Sequence, residues 1–221
     1  MHGRHTKVRP HHYAAIVVAV LVALSLAFAL AWVDRTRHDE PTTTPPSTAA
    51  AAADSGGLQA CEKVWNAQSV ALDAAGRSLQ QWRIHVDAMN QLVAGEITLA
   101  QAQDFWNRTR KGAAARVAEF ETADGSYADV ASQCPGDRAT KASPALARCE
   151  AGVRARDRAI DAGTVAISTW KHHIMDMEML RTGQITPAQA TRMWLRSWRQ
   201  GVSELDTFSK VRTDAADAGN C

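Results

Sequence analysis

The chain has 221 residues, with 25 Lys and Arg against 23 Asp and Glu and a formal net charge of +2. This balance, with no basic block interleaved with aromatic residues, excludes a nucleic-acid binder that works through a charged surface. Hydrophobic residues make up 46% of the chain and there are four cysteines, which fits a folded core of one or two domains stapled by disulfides.

Residues 1–12 form a basic tail in which Arg4, Lys7 and Arg9 occur without an acid. His2, His5, His11 and His12 read as its polar flank rather than as a metal-binding tag. From Ala14 to Ala31 there is no charged residue. With its flanks the run covers 13–33, and at ~1.5 Å per residue it matches a hydrocarbon layer of roughly 30 Å. Tyr13 and Trp32 bracket it as interfacial aromatics do, and the excess of positive charge before it places the N-terminus in the cytoplasm. The expectation is therefore a single-pass signal-anchor helix in the cell membrane, with everything after it extracytoplasmic. A cleaved signal peptide is the competing reading, because Ala27-Phe28-Ala29 and Ala29-Leu30-Ala31 both offer small-x-small cleavage patterns. Such leaders have apolar runs of only ~7–15 residues. In both readings the remainder is exported.

Residues 34–57 hold a stretch of Pro, Thr, Ser, Ala and Gly that reads as a flexible tether, with Thr and Ser available for O-linked sugars. Beyond it the sequence contains one unit twice, at a constant offset of 88 residues. Cys61, Trp82, His85, Met89, Gly95, Ile97, Thr98, Gln101, Trp106 and Phe120 recur as Cys149, Trp170, His173, Met177, Gly183, Ile185, Thr186, Gln189, Trp194 and Phe208. A period this long marks a duplicated supersecondary unit. The copies are assigned to 58–134 and 149–221, with a connector at 135–148 that contains Pro135, Gly136 and Pro144.

Each copy reads as a helical hairpin. In the first, Trp65, Leu72, Ala75, Leu79, Trp82, Val86, Met89 and Val93 lie on one helical stripe. Gly95 is placed for a left-handed C-cap, and Thr98 with Gln101 forms a capping box behind Ile97 as a hydrophobic staple. Gly183, Ile185, Thr186 and Gln189 repeat the device, with Pro187 at the first helical position. The return helices carry Ala102, Trp106, Thr109, Ala113, Val117 and Phe120, and then Ala190, Trp194, Ser197, Gly201, Leu205 and Phe208. Strand signals are absent, so the fold class is all-α, with both tips pointing one way in an up-down-up-down four-helix bundle. Asp73 and Asp161 neighbour the stripes and face solvent or nearby Arg. Arg108, Arg110 and Lys111 form a solvated face.

All four cysteines lie in the exported part, where disulfides persist. Of the three connectivities, the repeat favours Cys61–Cys134 with Cys149–Cys221. The alternative, Cys61–Cys221 with Cys134–Cys149, would tie the copies together.

Counted from the two tips, His85, Met89 and Trp106 share one layer with His173, Met177 and Trp194. A His and a Met four residues apart share a helix face. Two imidazoles and two thioethers would thus converge, a donor set that suits Cu(I) better than zinc. The competing reading is a packed core in which Met fills space and His is a satisfied boundary residue. Non-covalent haem held by one His and one Met is a third reading. No nucleophile elbow, phosphate loop, His-Glu-x-x-His or paired-carboxylate motif is present, so no enzymatic activity is expected.

The order Trp-x-x-His-x-x-x-Met-x-x-Leu-x-x-Gly-x-Ile-Thr, then Gln-Ala and Trp, resembles uncharacterised membrane-anchored tandem helical-hairpin envelope proteins of high-GC bacteria. The likeness covers most of Cys61 to Cys221 and implies architecture without activity. In the second copy, His172-His173 followed by Met177, Gln189, Met193-Trp194-Leu195 and Trp198 is similar to the His/Met-rich ferritin-like family of exported proteins linked to copper. The first copy departs from it at Ile84 and at Phe105-Trp106-Asn107. That partial likeness puts copper first among metals. The expected function is a membrane-anchored extracytoplasmic binding or structural module whose surface meets an envelope protein, and the alternative is Cu(I) storage, sensing or delivery.

Overall fold

Alanine and long straight-chain residues lose little on entering a helix, and they dominate the segments between the turns. The computed structural model describes residues 48–134 and 143–221. They form α1 (Thr48–Val93), α2 (Leu99–Arg110), α3 (Ala113–Ala128), a 3₁₀ turn (Ala131–Gln133), α4 (Pro144–Arg181) and α5 (Pro187–Asp217), with no strand among the described residues. The basic tail, the expected membrane helix at 13–33, residues 34–47 of the tether and residues 135–142 of the connector lie outside them. Among the described residues no helix is long and apolar enough to cross a membrane.

Three boundaries differ from the sequence reading. Helix α1 runs back to Thr48, so residues 48–57, read as tether from their composition, are helical. The run of alanines from Ala49 to Ala53 has the highest helix propensity of any residue type. At the other end of the connector, α4 starts at Pro144, with the Ser143 hydroxyl accepting from the Leu146 amide at 3.3 Å. The return helix of the first copy is not continuous. It breaks where Gly112 takes a left-handed φ of 73°, and the buried Gln81 donates through Nε2 to the freed Lys111 carbonyl at 2.8 Å. In the second copy Gln200 occupies the equivalent position, and α5 passes through without interruption.

Both tips form as the sequence requires. Gly95 and Gly183 each have φ 74°. The bonds Glu96 N–H to Gln91 O and Gly95 N–H to Leu92 O close one helix, and Gln184 to Met179 with Gly183 to Leu180 close the other. These paired bonds satisfy carbonyls that the helix end would leave open. Thr98 and Thr186 then cap the next helices in complete capping boxes with Gln101 and Gln189.

The two long helices α1 and α4 run parallel and in register. Gln68 reaches Val153 and Asp157, Arg156 reaches Ser69, and His173 meets His85, so the sequence separation across the pair stays between 85 and 89. An antiparallel pair would show separations that change steadily along the helices. Each return segment packs on its own long helix, α2 and α3 on α1 and α5 on α4. The main core follows: Leu72, Ala75, Leu79, Trp82 and Val86 meet Ile160, Ile167, Trp170, Phe120, Leu205 and Phe208. Val93 is 64% exposed, against the expected stripe, because the last turn of α1 extends past the packed layers. A smaller core surrounds the disulfides Cys61–Cys134 and Cys149–Cys221, which close each hairpin at its open end in the connectivity the repeat favours. Asp73 lies 4.0 Å from Arg212 at the surface, and Asp161 is exposed.

Candidate functional site

Equivalent residues of two copies can touch only near the axis that relates them. Trp82 stacks on Trp170, centroids 4.6 Å apart and planes 20° from parallel. One turn nearer the tips, His85 and His173 meet edge to face with centroids at 4.9 Å and Nε2 atoms at 3.1 Å. Trp106 and Trp194 flank this pair, each 6.0 Å from the histidine of its own copy. Helices α1 and α4 supply the central four rings, and α2 and α5 the outer two.

The tight layer depends on one absent side chain. A Cβ on Gly201 would lie 2.6 to 2.8 Å from the Trp82 indole, so the ring sits against the bare α5 backbone. Replacing Gly201 by Ala gains up to about 1 kcal/mol of helix propensity and loses about 1–3 kcal/mol to overpacking. Gly201→Ala is expected to lower stability by about 1 kcal/mol in urea melts, with changed near-ultraviolet circular dichroism from the Trp stack. The equivalent residue of the first copy, Ala113, already carries its Cβ and is fully buried.

The hydrogen bonds assign the histidine tautomers. The Thr109 hydroxyl faces two carbonyls, Phe105 at 2.8 Å and Trp106 at 3.2 Å, so its proton is directed to the backbone. Its oxygen then accepts from His85 Nδ1–H at 2.8 Å. His85 Nε2 is left with a lone pair, and His173 Nε2–H donates to it. Each ring fixes the next. Trp106 Nε1–H completes the first copy by donating to the His85 carbonyl at 3.1 Å.

The second copy does not close in the same way. Ser197, equivalent to Thr109, likewise donates to the carbonyl four residues back, Met193, but its oxygen is not bonded by the histidine, and His173 Nδ1 and Trp194 Nε1 have no hydrogen-bond partner. Both histidines are buried, and burial holds both rings neutral. His173 is pushed down to about 4, and His85 to about 2 by burial and then by the charge His173 would carry.

Between α2 and α5, above the histidine pair, lies a cavity of about 520 Å³. Trp82, His85 and His173 are buried at its floor, while Met89, Met177, Trp106 and Trp194 are half-buried along its walls. Its rim includes Arg110 and Arg181, both exposed, and no carboxylate lines it. The cavity exists because the return helices pack on their own long helices and leave the dyad uncovered near the tips.

All four residues singled out in the sequence, His85, Met89, His173 and Met177, therefore line one cavity, and the histidines are in direct contact. His172 and Met175 are exposed and belong elsewhere. Among the described residues no three His, Cys, Asp or Glu side chains are grouped to hold a metal ion. Sequence reasoning missed the role of Thr109. The signal was present, since hydroxyl residues recur at Thr109 and Ser197 at the height of the histidines. Arg110 and Arg181 gave no such signal, because they are not equivalent positions and come to line one cavity only in three dimensions. No protein family, curated protein or solved structure matches the chain.

Proposed function

We propose that this protein is a membrane-anchored, extracytoplasmic binding module of the bacterial envelope that holds a small ligand in the dyad cavity and catalyses no reaction. The cavity carries the reading. Its volume falls within the range of small-molecule sites, roughly 300–1,000 Å³, and its walls are mostly apolar and aromatic, as such sites are. Two further features support it: of the unpaired ring nitrogens of the second copy, His173 Nδ1 and Trp194 Nε1 belong to rings that line the cavity, while Trp170 Nε1 does not, and buried polar groups without partners are rare enough to need a cause. Catalysis finds no support, since the two histidines bond each other and no serine, cysteine or carboxylate lines the wall.

The test uses the full-length chain and a neutral probe, 2-naphthol, followed through the indole N–H resonances. Saturable shifts at Trp106 and Trp194, abolished by Met89→Trp, are expected. Shifts spread evenly over the tryptophans, or none, would refute a defined site. For the membrane anchor, the chain should stay with the membrane fraction through an alkaline carbonate wash, and release into the supernatant contradicts the anchor.

One observation favours a second reading, in which the cavity floor binds Cu(I). At metal–imidazole distances of ~2.0 Å, two nitrogens 3.1 Å apart subtend roughly 100° at the ion, close to a tetrahedral angle. His85 is oriented by Thr109 through its other nitrogen, as metal-binding imidazoles commonly are. Met89 and Met177 would supply soft donors from the walls. The size of the cavity argues for an organic ligand over an ion alone. Competition with a Cu(I) chelator decides the matter. If the floor is a copper site, His85→Leu/His173→Leu loses at least tenfold in Cu(I) affinity, and undiminished uptake removes this reading.

A further inference from the structure

We propose that the ligand of the dyad cavity is a small anionic amphiphile, bound with its apolar body on the Trp and Met walls and its carboxylate at the rim. This inference rests on the binding reading above and adds the ligand's charge and orientation.

The cavity is polarised along its depth. At the floor, the two imidazoles are neutral and bonded to each other, and Trp82 is 1% exposed, so a charge placed there would be desolvated without a counter-ion. The charged residues that line the rim are of one sign. Arg110 reaches it from the first copy and Arg181 from the second. Arg181 is already engaged by Glu178, through Nε at 2.8 Å and a terminal nitrogen at 2.5 Å. Arg110 also acts on Glu178, which both guanidinium groups hold below the usual carboxylate range. Glu178 is paired with Arg181, and among the described residues Arg110 is in no ion pair, so its positive charge at the mouth is in excess. A carboxylate arriving there meets Arg110 in the fork geometry that guanidinium offers. An ammonium head would meet that excess charge as a repulsion, and a neutral head would forgo the attraction. The apolar body then reaches the tryptophan and methionine side chains, where its burial drives binding.

Three probes of nearly one shape separate these cases: 2-naphthoate, 2-naphthamide and 2-naphthylmethylammonium, each titrated into the full-length chain and read from the Trp106 and Trp194 indole N–H resonances. Naphthoate should bind roughly fivefold tighter than the amide, in the range expected of an exposed ion pair, and the ammonium should bind weakest. In Arg110→Gln, an exposed substitution that leaves the core untouched, the naphthoate and amide affinities should converge. In Glu178→Gln, which releases Arg181, the preference for naphthoate should grow. An amide that binds as well as the carboxylate, or a preference that survives Arg110→Gln, overturns the inference while leaving the binding reading in place. If none of the three probes shifts these resonances, the binding reading falls and this inference with it.

Discussion

Lowering the pH from 7.5 to 4.5 is expected to cost the folded protein on the order of 5 kcal/mol through its two central histidines. In the unfolded chain a histidine takes up its proton near pH 6.5. In the folded protein burial pushes His173 down to about 4 and His85 to about 2. Below pH 6.5 the unfolded state therefore binds more protons than the native one. The contribution is complete above that pH and drains away as the pH falls toward 4, at about 1.4 kcal/mol per pH unit for each ring. Asp124 and Asp176 act in the opposite sense, because burial holds their carboxyls above the usual range. The readout is accordingly a difference between two chains. Urea midpoints of the natural protein should fall steeply from pH 6.5 to 4.5, and those of His85→Leu/His173→Leu should be much flatter. Parallel curves would mean that the histidines are hydrated in the folded state.

Loss of one disulfide should have a comparable effect. Cys149–Cys221 and Cys61–Cys134 span 72 and 73 residues, and closing loops of that length restricts the unfolded chain by about 4 kcal/mol each in the chain-entropy account. Natural domains have only ~5–15 kcal/mol in total. Cys149→Ala/Cys221→Ala should therefore melt far below the parent protein, and removal of both bridges should leave little folded protein at 37 °C. Cys61 and Cys149 are fully buried in the small core at the open end, so the alanines leave a space there and add to the loss. A change below about 1 kcal/mol would show that the helices hold the open end closed without covalent help.

Local signals were legible where one residue type has few conformational alternatives. Gly95 and Gly183 needed a left-handed turn, Thr98 and Thr186 needed Gln three residues on, and all four residues do what their chemistry requires. The in-register pairing of α1 with α4 followed from the duplication, which also brought His85 opposite His173. Position in three dimensions decided the rest. Gly112 and Gln200 are equivalent, yet one ends a helix and the other continues it, because only glycine takes the left-handed conformation without strain. Gln68 and Ser78 are fully buried although their polarity suggests a surface. Gln68 is accommodated because α4 offers it the Val153 carbonyl and the Asp157 carboxylate, which Tyr127 also bonds. The cavity itself has no signature along the chain. It arises from how far apart α2 and α5 lie, which packing on the long helices determines and no short motif encodes.

The most direct test of the dyad-centred layer is a long-range correlation spectrum of the histidine ring nitrogens in the full-length protein. The account predicts His85 protonated on Nδ1 and His173 protonated on Nε2, a coupling across the Nε2–H···Nε2 bond, and no titration of either ring above about pH 5. Two histidines without mutual coupling, each titrating near 6.5 as in an open chain, would contradict it.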